Sequence, residues 1–162
     1  MVMKLDDLVN AMRYAFFRSG RLYVDISSEA YKFYVEISYF KDGMSNLHIE
    51  RIVYLPDSPH LSIDSEWDDF PQNIKGRSIE WIAPSFYDSV VEAFLPEITN
   101  EFVKTKLESV PKFSDEFKRL FDIYVEDDYE YGEGKKFYEF KNEYWHETAR
   151  KFCDEHGIEY EE

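Results

Sequence analysis

Carboxylates and aromatic rings alternate almost residue by residue between Asp122 and Glu147, in DIYVEDDYEYGEGKKFYEFKNEYWHE. Carboxylates attract basic partners, and Tyr and Trp are enriched at the centres of protein interfaces because they bury a large area at low entropic cost. An acidic rim around aromatic anchors is typical of a protein-binding surface. We therefore predict a partner-binding surface that includes Glu126, Asp127, Asp128, Tyr129, Glu130, Tyr131 and Glu133.

Three more glutamates recur at steps of four in the predicted last helix. Glu139, Glu143 and Glu147 would stand about 6 Å apart along one face, because an α-helix rises about 1.5 Å per residue. This spacing is close to that of phosphates on a nucleic-acid strand, so the row could imitate a backbone for a protein that grips phosphates with Lys and Arg. The alternative is an ordinary solvated helix face that nearby lysines partly neutralise.

A second acidic and aromatic segment lies in the N-terminal half. It is a predicted loop between two short strands, and its residues join the predicted partner-binding set: Asp64, Glu66, Trp67, Asp68 and Asp69. Carboxylate pairs of this kind can also bind Mg²⁺ or Ca²⁺, or act as acid and base. The sequence contains neither the spacing of an EF-hand loop nor a recognised catalytic motif, so partner binding is the interpretation that we favour.

Residues of zinc-ligand type are poorly spaced for a metal site. His146, Cys153 and His156 fall on the last helix, where residues seven apart are about 10 Å apart along the axis, so one ion would reach at most two of them. A buried thiol and helix-end histidines are the alternative. Neither His48 nor His60 has a Ser, Cys or Asp at a sequence spacing typical of a catalytic motif. We expect no catalytic residue, no metal and no cofactor, and hence a protein that is not an enzyme.

The net charge of the chain limits the classes of molecule that it can bind. The 162 residues carry a formal net charge of -15, most of it in the C-terminal half. Such a charge repels nucleic acid and anionic lipid and steers basic proteins, so we expect no direct nucleic-acid binding. No apolar stretch approaches the ~20 residues of a membrane helix, and the single cysteine, Cys153, favours a reducing compartment. We expect a cytoplasmic protein; its oligomeric state is left open.

The hydrophobic pattern predicts an α+β fold, with an N-terminal helix and an antiparallel β-meander followed by a helical C-terminal half. Residues 1–84 would hold a helix at 4–19 and strands near 22–26, 33–39, 47–55, 60–63 and 77–82, with a bulge near Glu50. Residues 85–162 would form an acidic helical region packed with the sheet as one domain. Pro96 should break its first helix, Ser114 should start another, and Gly157 should end the last, which spans about 136–156 with Tyr144 facing inward.

These features favour a small acidic inhibitor of a basic, nucleic-acid-handling protein. In size, acidity and single-domain make-up the chain resembles phage-encoded counter-defence proteins such as anti-CRISPR and anti-restriction inhibitors, which implies blocking of a nucleic-acid site or locking of a conformation. Two alternatives remain: an immunity protein that neutralises a nuclease toxin, and an acidic chaperone that holds a secreted effector through apolar patches on its sheet. Salt separates these classes, because charged contacts weaken as salt rises and an apolar groove does not.

Overall fold

The computed structural model describes residues 2–26, 31–40, 47–54, 78–85 and 87–162. The chain divides into two units: unit 1 comprises residues 1–85 and 145–162, and unit 2 comprises residues 86–144. The order of elements confirms the α+β class, with a helix and antiparallel strands before a helical C-terminal half. The predicted strand at 60–63 lies outside the described residues. Within the described part, no helix is long and apolar enough to cross a membrane.

Unit 1 is built on a four-stranded antiparallel sheet in the order β4–β3–β2–β5. Its elements are β1 (Met3–Lys4), α1 (Leu5–Phe17), β2 (Arg21–Asp25), β3 (Lys32–Phe40), β4 (Leu47–Tyr54), β5 (Ser78–Ile82) and a C-terminal strand, β6 (Tyr160–Glu161), that pairs in parallel with β1. The apolar residues of α1 recur at helical spacing, and Leu8 and Met12 are fully buried. Because α1 contacts β2 and β3, this helix covers the sheet.

The pairing of β3 with β4 corrects one expectation. The two strands stay in register over their whole length, so the bulge predicted near Glu50 and Arg51 is absent. The sequence is ambiguous there because the apolar residues change parity. The structure removes the ambiguity by burying three consecutive residues at the end of β4, Ile52, Val53 and Tyr54. Both faces of the sheet are therefore covered at that end, and no residue has to change sides.

Unit 2 is helical. Its elements are a π-helical turn (Tyr87–Val91), α2 (Glu92–Phe94), a 3-10 turn (Leu95–Glu97), α3 (Glu101–Glu108), α4 (Asp115–Phe121), a second π-helical turn (Asp122–Glu126) and the first part of α5 (Glu133–His156), whose remainder from Trp145 belongs to unit 1. Pro96 lies in the 3-10 turn, where the first helical stretch ends as predicted. Gly157 follows α5 with a φ of +65°, as a helix stop requires.

Aromatic rings fill the interior of unit 2. Phe137 on α5 lies 4.8 Å from Phe94 and 5.1 Å from Phe121, measured between ring centroids. The sequence predicts that Tyr144, near the middle of α5, faces inward. In the structure Tyr144 is only half-buried, and its neighbour Trp145 is buried. Within unit 1 the Trp145 ring packs edge-on against Phe16 at 4.7 Å. Trp145 is therefore a core residue.

Ser114 starts α4, and its loss should measurably destabilise unit 2. Its hydroxyl oxygen accepts a hydrogen bond from the Phe117 backbone N–H at 3.2 Å. Ser114→Ala should lower the free energy of unfolding by about 1 kcal/mol, measured by urea denaturation, because a helix N–H loses its acceptor. Ser114→Asp should restore most of that loss, since Asp caps a helix in the same way. Equal stability of the Ala variant and the wild type would show that this cap contributes nothing.

Candidate protein-binding surface

The predicted residues 126–131 connect the second π-helical turn to α5, and one carboxylate organises them. Oδ1 of Asp128 accepts hydrogen bonds from the backbone N–H groups of Glu130 at 2.8 Å and Tyr131 at 2.9 Å. Its Oδ2 accepts from Glu133 at 3.0 Å and Gly134 at 3.4 Å. Desolvation would raise the pKa of Asp128, but the four backbone hydrogen bonds together lower it from its ordinary value. Asp128 therefore holds the loop and the start of α5 together.

Two glycines allow the chain to close around this carboxylate. Gly132 has a φ of +80°, a conformation that L side chains rarely adopt. A Cβ at Gly134 would lie 2.7 Å from the backbone oxygen of Asp128 and 2.8 Å from that of Val125. Only glycine fits there. Gly132 and Gly134 thus allow the acidic loop to pack closely on the first turn of α5.

Glu133 departs from its predicted place at the surface, because its side chain is only 1% exposed. Its Oε1 accepts hydrogen bonds from the backbone N–H groups of Thr99 at 3.1 Å and Asn100 at 2.9 Å. Lys136 lies 3.2 Å from the other carboxylate oxygen, and its ammonium donates to the backbone oxygen of Glu97 at 2.7 Å. Glu133 therefore ties the segment before α3 to the start of α5, and it is not available to a partner.

This tie places an aromatic ring beside the acidic loop. Asn100 caps α3 by accepting from the Val103 N–H at 3.1 Å, and Phe102 follows it in the first turn. The Phe102 ring lies 5.5 Å from Tyr124 and 5.4 Å from Tyr131, and the two tyrosine rings are 6.2 Å apart. Phe102 is nevertheless 46% exposed. The three rings form a cluster that is open to solvent on one side.

The loop and this cluster together form what we call the acidic–aromatic surface: Phe102, Ile123, Tyr124, Glu126, Asp127, Tyr129, Glu130 and Tyr131. Tyr129 is 99% exposed, and Ile123 is 46% exposed. A shallow cavity of about 270 Å³ is lined by Ile123, Tyr124, Asp127, Asp128, Tyr129, Glu130 and Tyr131. Ile123, Tyr124 and Glu126 lie on the π-helical turn, a deformation that is frequent at functional sites.

The carboxylates of this surface are unequally compensated. Glu126 lies 3.6 Å from the ammonium of Lys141. Asp127 and Glu130 are exposed, and among the described residues neither has a basic side chain within ion-pair distance. Desolvation, followed by the charge of Glu130, raises the pKa of the Tyr131 hydroxyl. The surface therefore has a negative potential centred on Asp127 and Glu130.

Of the remaining predicted residues, none that the structure describes is part of this surface. Glu139 and Glu143 are exposed on α5 within unit 2, but neither lines the cavity. Glu147 belongs to unit 1, where it accepts from Arg150 at 2.7 Å. The acidic segment from Asp64 to Asp69 lies outside the described residues. Sequence patterns alone do not identify Phe102, Ile123 and Tyr124 as surface residues. The pattern of a helical sequence does not tell an exposed apolar side chain from a buried one.

The residues of zinc-ligand type have local partners of other kinds. Nε2 of His146 lies 3.0 Å from a carboxylate oxygen of Asp6. Desolvation raises the pKa of the buried Cys153 thiol to about 11, and His156 packs on the Phe152 ring at 4.7 Å. In the part of the chain that the structure describes, no three His, Cys, Asp or Glu side chains come together as a metal site requires.

Comparisons of the chain with protein-family models, with curated proteins and with solved structures give no match.

Acid should reveal the role of Asp128. Because folding lowers its pKa, the ionised carboxylate stabilises the folded chain fully above the unfolded value of about 3.9, and progressively less as the pH falls through the lower folded value. The free energy of unfolding should therefore fall more steeply below about pH 4 for the wild type than for Asp128→Asn. Urea denaturation from about pH 6 to about pH 2 measures this. Asp127→Asn is the matched control, and identical profiles for all three proteins would contradict the assignment.

Removing Glu133 should destabilise unit 2 without touching its exposed face. Glu133→Ala leaves the backbone N–H groups of Thr99 and Asn100 without their acceptor, so the free energy of unfolding should fall by about 2 kcal/mol. Glu133→Gln keeps an acceptor oxygen and should lose less. The exposed Glu139→Ala serves as control and should change stability by less than about 0.5 kcal/mol. Equal losses for Glu133→Ala and Glu139→Ala in urea denaturation would rule out the tie.

Proposed function

We propose that the chain is a small acidic protein-binding inhibitor of a basic, nucleic-acid-handling protein, of the phage counter-defence kind that includes anti-CRISPR and anti-restriction inhibitors. One observation carries the proposal: the exposed Tyr129 side chain lies between the uncompensated carboxylates of Asp127 and Glu130 on a loop that Asp128 holds in one conformation. In this proposal the chain binds and does not catalyse. The buried, unpaired Cys153 suits a reducing compartment, and we place the protein in the cytoplasm.

Charge supports a basic partner. The chain carries a net charge of -15, and Asp127 and Glu130 lie exposed at the centre of the negative surface. Electrostatic attraction of this kind accelerates encounter with a positive surface and repels nucleic acid. A nuclease or another nucleic-acid enzyme offers the complementary surface, because it grips phosphates with Lys and Arg.

The exposed apolar side chains of the acidic–aromatic surface support a stable complex, in addition to the electrostatic attraction that brings the partners together. Tyr129, Phe102 and Ile123 present large side chains to solvent, and burying such side chains at an interface contributes much of its binding energy. The hydrogen bonds to Asp128 fix the loop before binding, so little conformational entropy remains to be lost. The surface therefore combines steering charges with preorganised anchors.

The geometry favours a compact contact over imitation of a long phosphate row. The carboxylates of the surface, Glu126, Asp127 and Glu130, lie within five consecutive residues, and Glu147, which belongs to unit 1, is paired with Arg150. A compact contact can block the entrance of a nucleic-acid groove, or hold the partner in one conformation. A nuclease toxin neutralised by an immunity protein would be bound through the same physical contacts.

A chaperone role is a second candidate, because unit 1 also exposes apolar side chains. Phe40 at the end of β3 is 68% exposed, and Leu47 and Ile49 on β4 are about half exposed. These residues lie close together, since Phe40 is opposite Leu47 in the sheet. Such a patch could hold an unfolded segment of a secreted protein. Binding there would be insensitive to salt, unlike binding at the acidic–aromatic surface.

A pull-down with matched variants tests the proposal. The chain is immobilised and exposed to a lysate of a candidate host, and the proteins retained at low and at high salt are identified by mass. A triple variant, Glu126→Gln, Asp127→Asn and Glu130→Gln, should capture the basic partner about tenfold less, equivalent to about 1.4 kcal/mol, because its steering and contact charges are gone.

The control variant has the same change in net charge at exposed positions outside the surface, Glu97→Gln, Glu108→Gln and Glu155→Gln. It should capture the partner as the wild type does. Equal capture by both triple variants would refute the acidic–aromatic surface as the binding site. Capture that survives high salt and is lost on Phe40→Ser would instead favour the chaperone role.

A further inference from the structure

The cavity in the acidic–aromatic surface has the size of a side-chain site. Its volume is about 270 Å³. This is too small for a folded element and suits one long side chain. Its lining combines three tyrosines, Tyr124, Tyr129 and Tyr131, with carboxylates. Aromatic walls and negative charge in one cavity are the composition that recognises cations.

The aromatic cluster already attracts a cation from the chain itself. The Lys106 ammonium lies 5.4 Å from the centroid of the Phe102 ring, within the range of a cation–π contact. The Phe102 and Tyr131 rings are stacked at 28° to each other, and Tyr131 in turn lines the cavity. This contact is a feature of the rings and is independent of the acidic residues of the loop.

The carboxylates add directional acceptors. Asp127 and Glu130 both line the cavity and are exposed. Asp128, by contrast, already accepts hydrogen bonds from four backbone N–H groups. A ligand in the cavity would therefore meet aromatic rings together with two carboxylates that can accept N–H donors.

We propose that this cavity binds an arginine side chain of the basic partner. A planar guanidinium stacks on aromatic rings and donates paired N–H groups to carboxylates, so it uses both parts of the lining at once. A lysine ammonium is a compact, strongly hydrated charge that stacks poorly, and a quaternary ammonium has no N–H group for Asp127 and Glu130. The inference rests on the proposed function and adds to it the chemical group that is recognised.

The test uses the full-length chain and short blocked peptides that differ at one central position. That position carries arginine, lysine, trimethyl-lysine or the uncharged arginine analogue citrulline. Binding is followed by NMR through the ring signals of Tyr129 and Tyr131. The arginine peptide should bind about fivefold or more tightly than the lysine and trimethyl-lysine peptides, and citrulline should not bind.

Two variants locate the site. Tyr129→Ala and Asp127→Asn alter exposed side chains and should each weaken arginine binding about fivefold or more, with the thermal unfolding midpoint unchanged. Tyr138→Ala and Glu108→Gln are the matched controls, because both are exposed and neither lines the cavity. The controls should bind the arginine peptide as the wild type does.

The outcomes separate this inference from the proposed function. If arginine and lysine peptides bind equally, the arginine site is refuted, and the pull-down with the charge variants still decides the acidic surface. Tightest binding of trimethyl-lysine would overturn it in favour of a quaternary-ammonium cage. If the site variants and the controls behave alike, or if no peptide binds, the arginine site is likewise refuted.

Discussion

The carboxylate of Asp128 is the interaction on which the candidate surface depends. It accepts hydrogen bonds from four backbone N–H groups between Glu130 and Gly134, and so it fixes the loop and the first turn of α5 together. The close approach of the backbone at Gly134 leaves no room for a side chain there. Without this carboxylate four donors would need other partners, and Tyr129 and Glu130 would lose their fixed position.

Acidic residues in this segment have two different tasks. Asp128 and Glu133 are directed to backbone N–H groups and hold unit 2 together, whereas Asp127 and Glu130 remain exposed. Crowding carboxylates into a short segment costs stability through their mutual repulsion. The hydrogen bonds of the first pair offset this cost and fix the second pair in place. Loop stability and partner recognition are thus linked through neighbouring residues.

Local signals in the sequence predict much of the fold. Alternating residues give β2 and β3, the cap at Ser114 gives the start of α4, and Gly157 gives the end of α5, because each depends on neighbours within a few positions. The burial of Glu133 is different in kind. Its partners, Thr99 and Asn100, lie more than thirty residues earlier in the chain, and no periodicity reports such a contact. The same division applies to the candidate surface. The composition of the sequence predicts the acidic loop, whereas Phe102 joins the surface only through the long-range contact of Glu133 with Thr99 and Asn100.

Hydrogen–deuterium exchange of the chain, free and bound to a captured basic partner, tests the central claim most directly. If the acidic–aromatic surface is the binding site, backbone amides of residues 122–131 and those around Phe102 should exchange more slowly in the complex. Amides at the ends of β3 and β4 should then exchange as in the free chain. Slower exchange confined to the Phe40 and Leu47 region, with residues 122–131 unchanged, would contradict the account and move the binding site to unit 1.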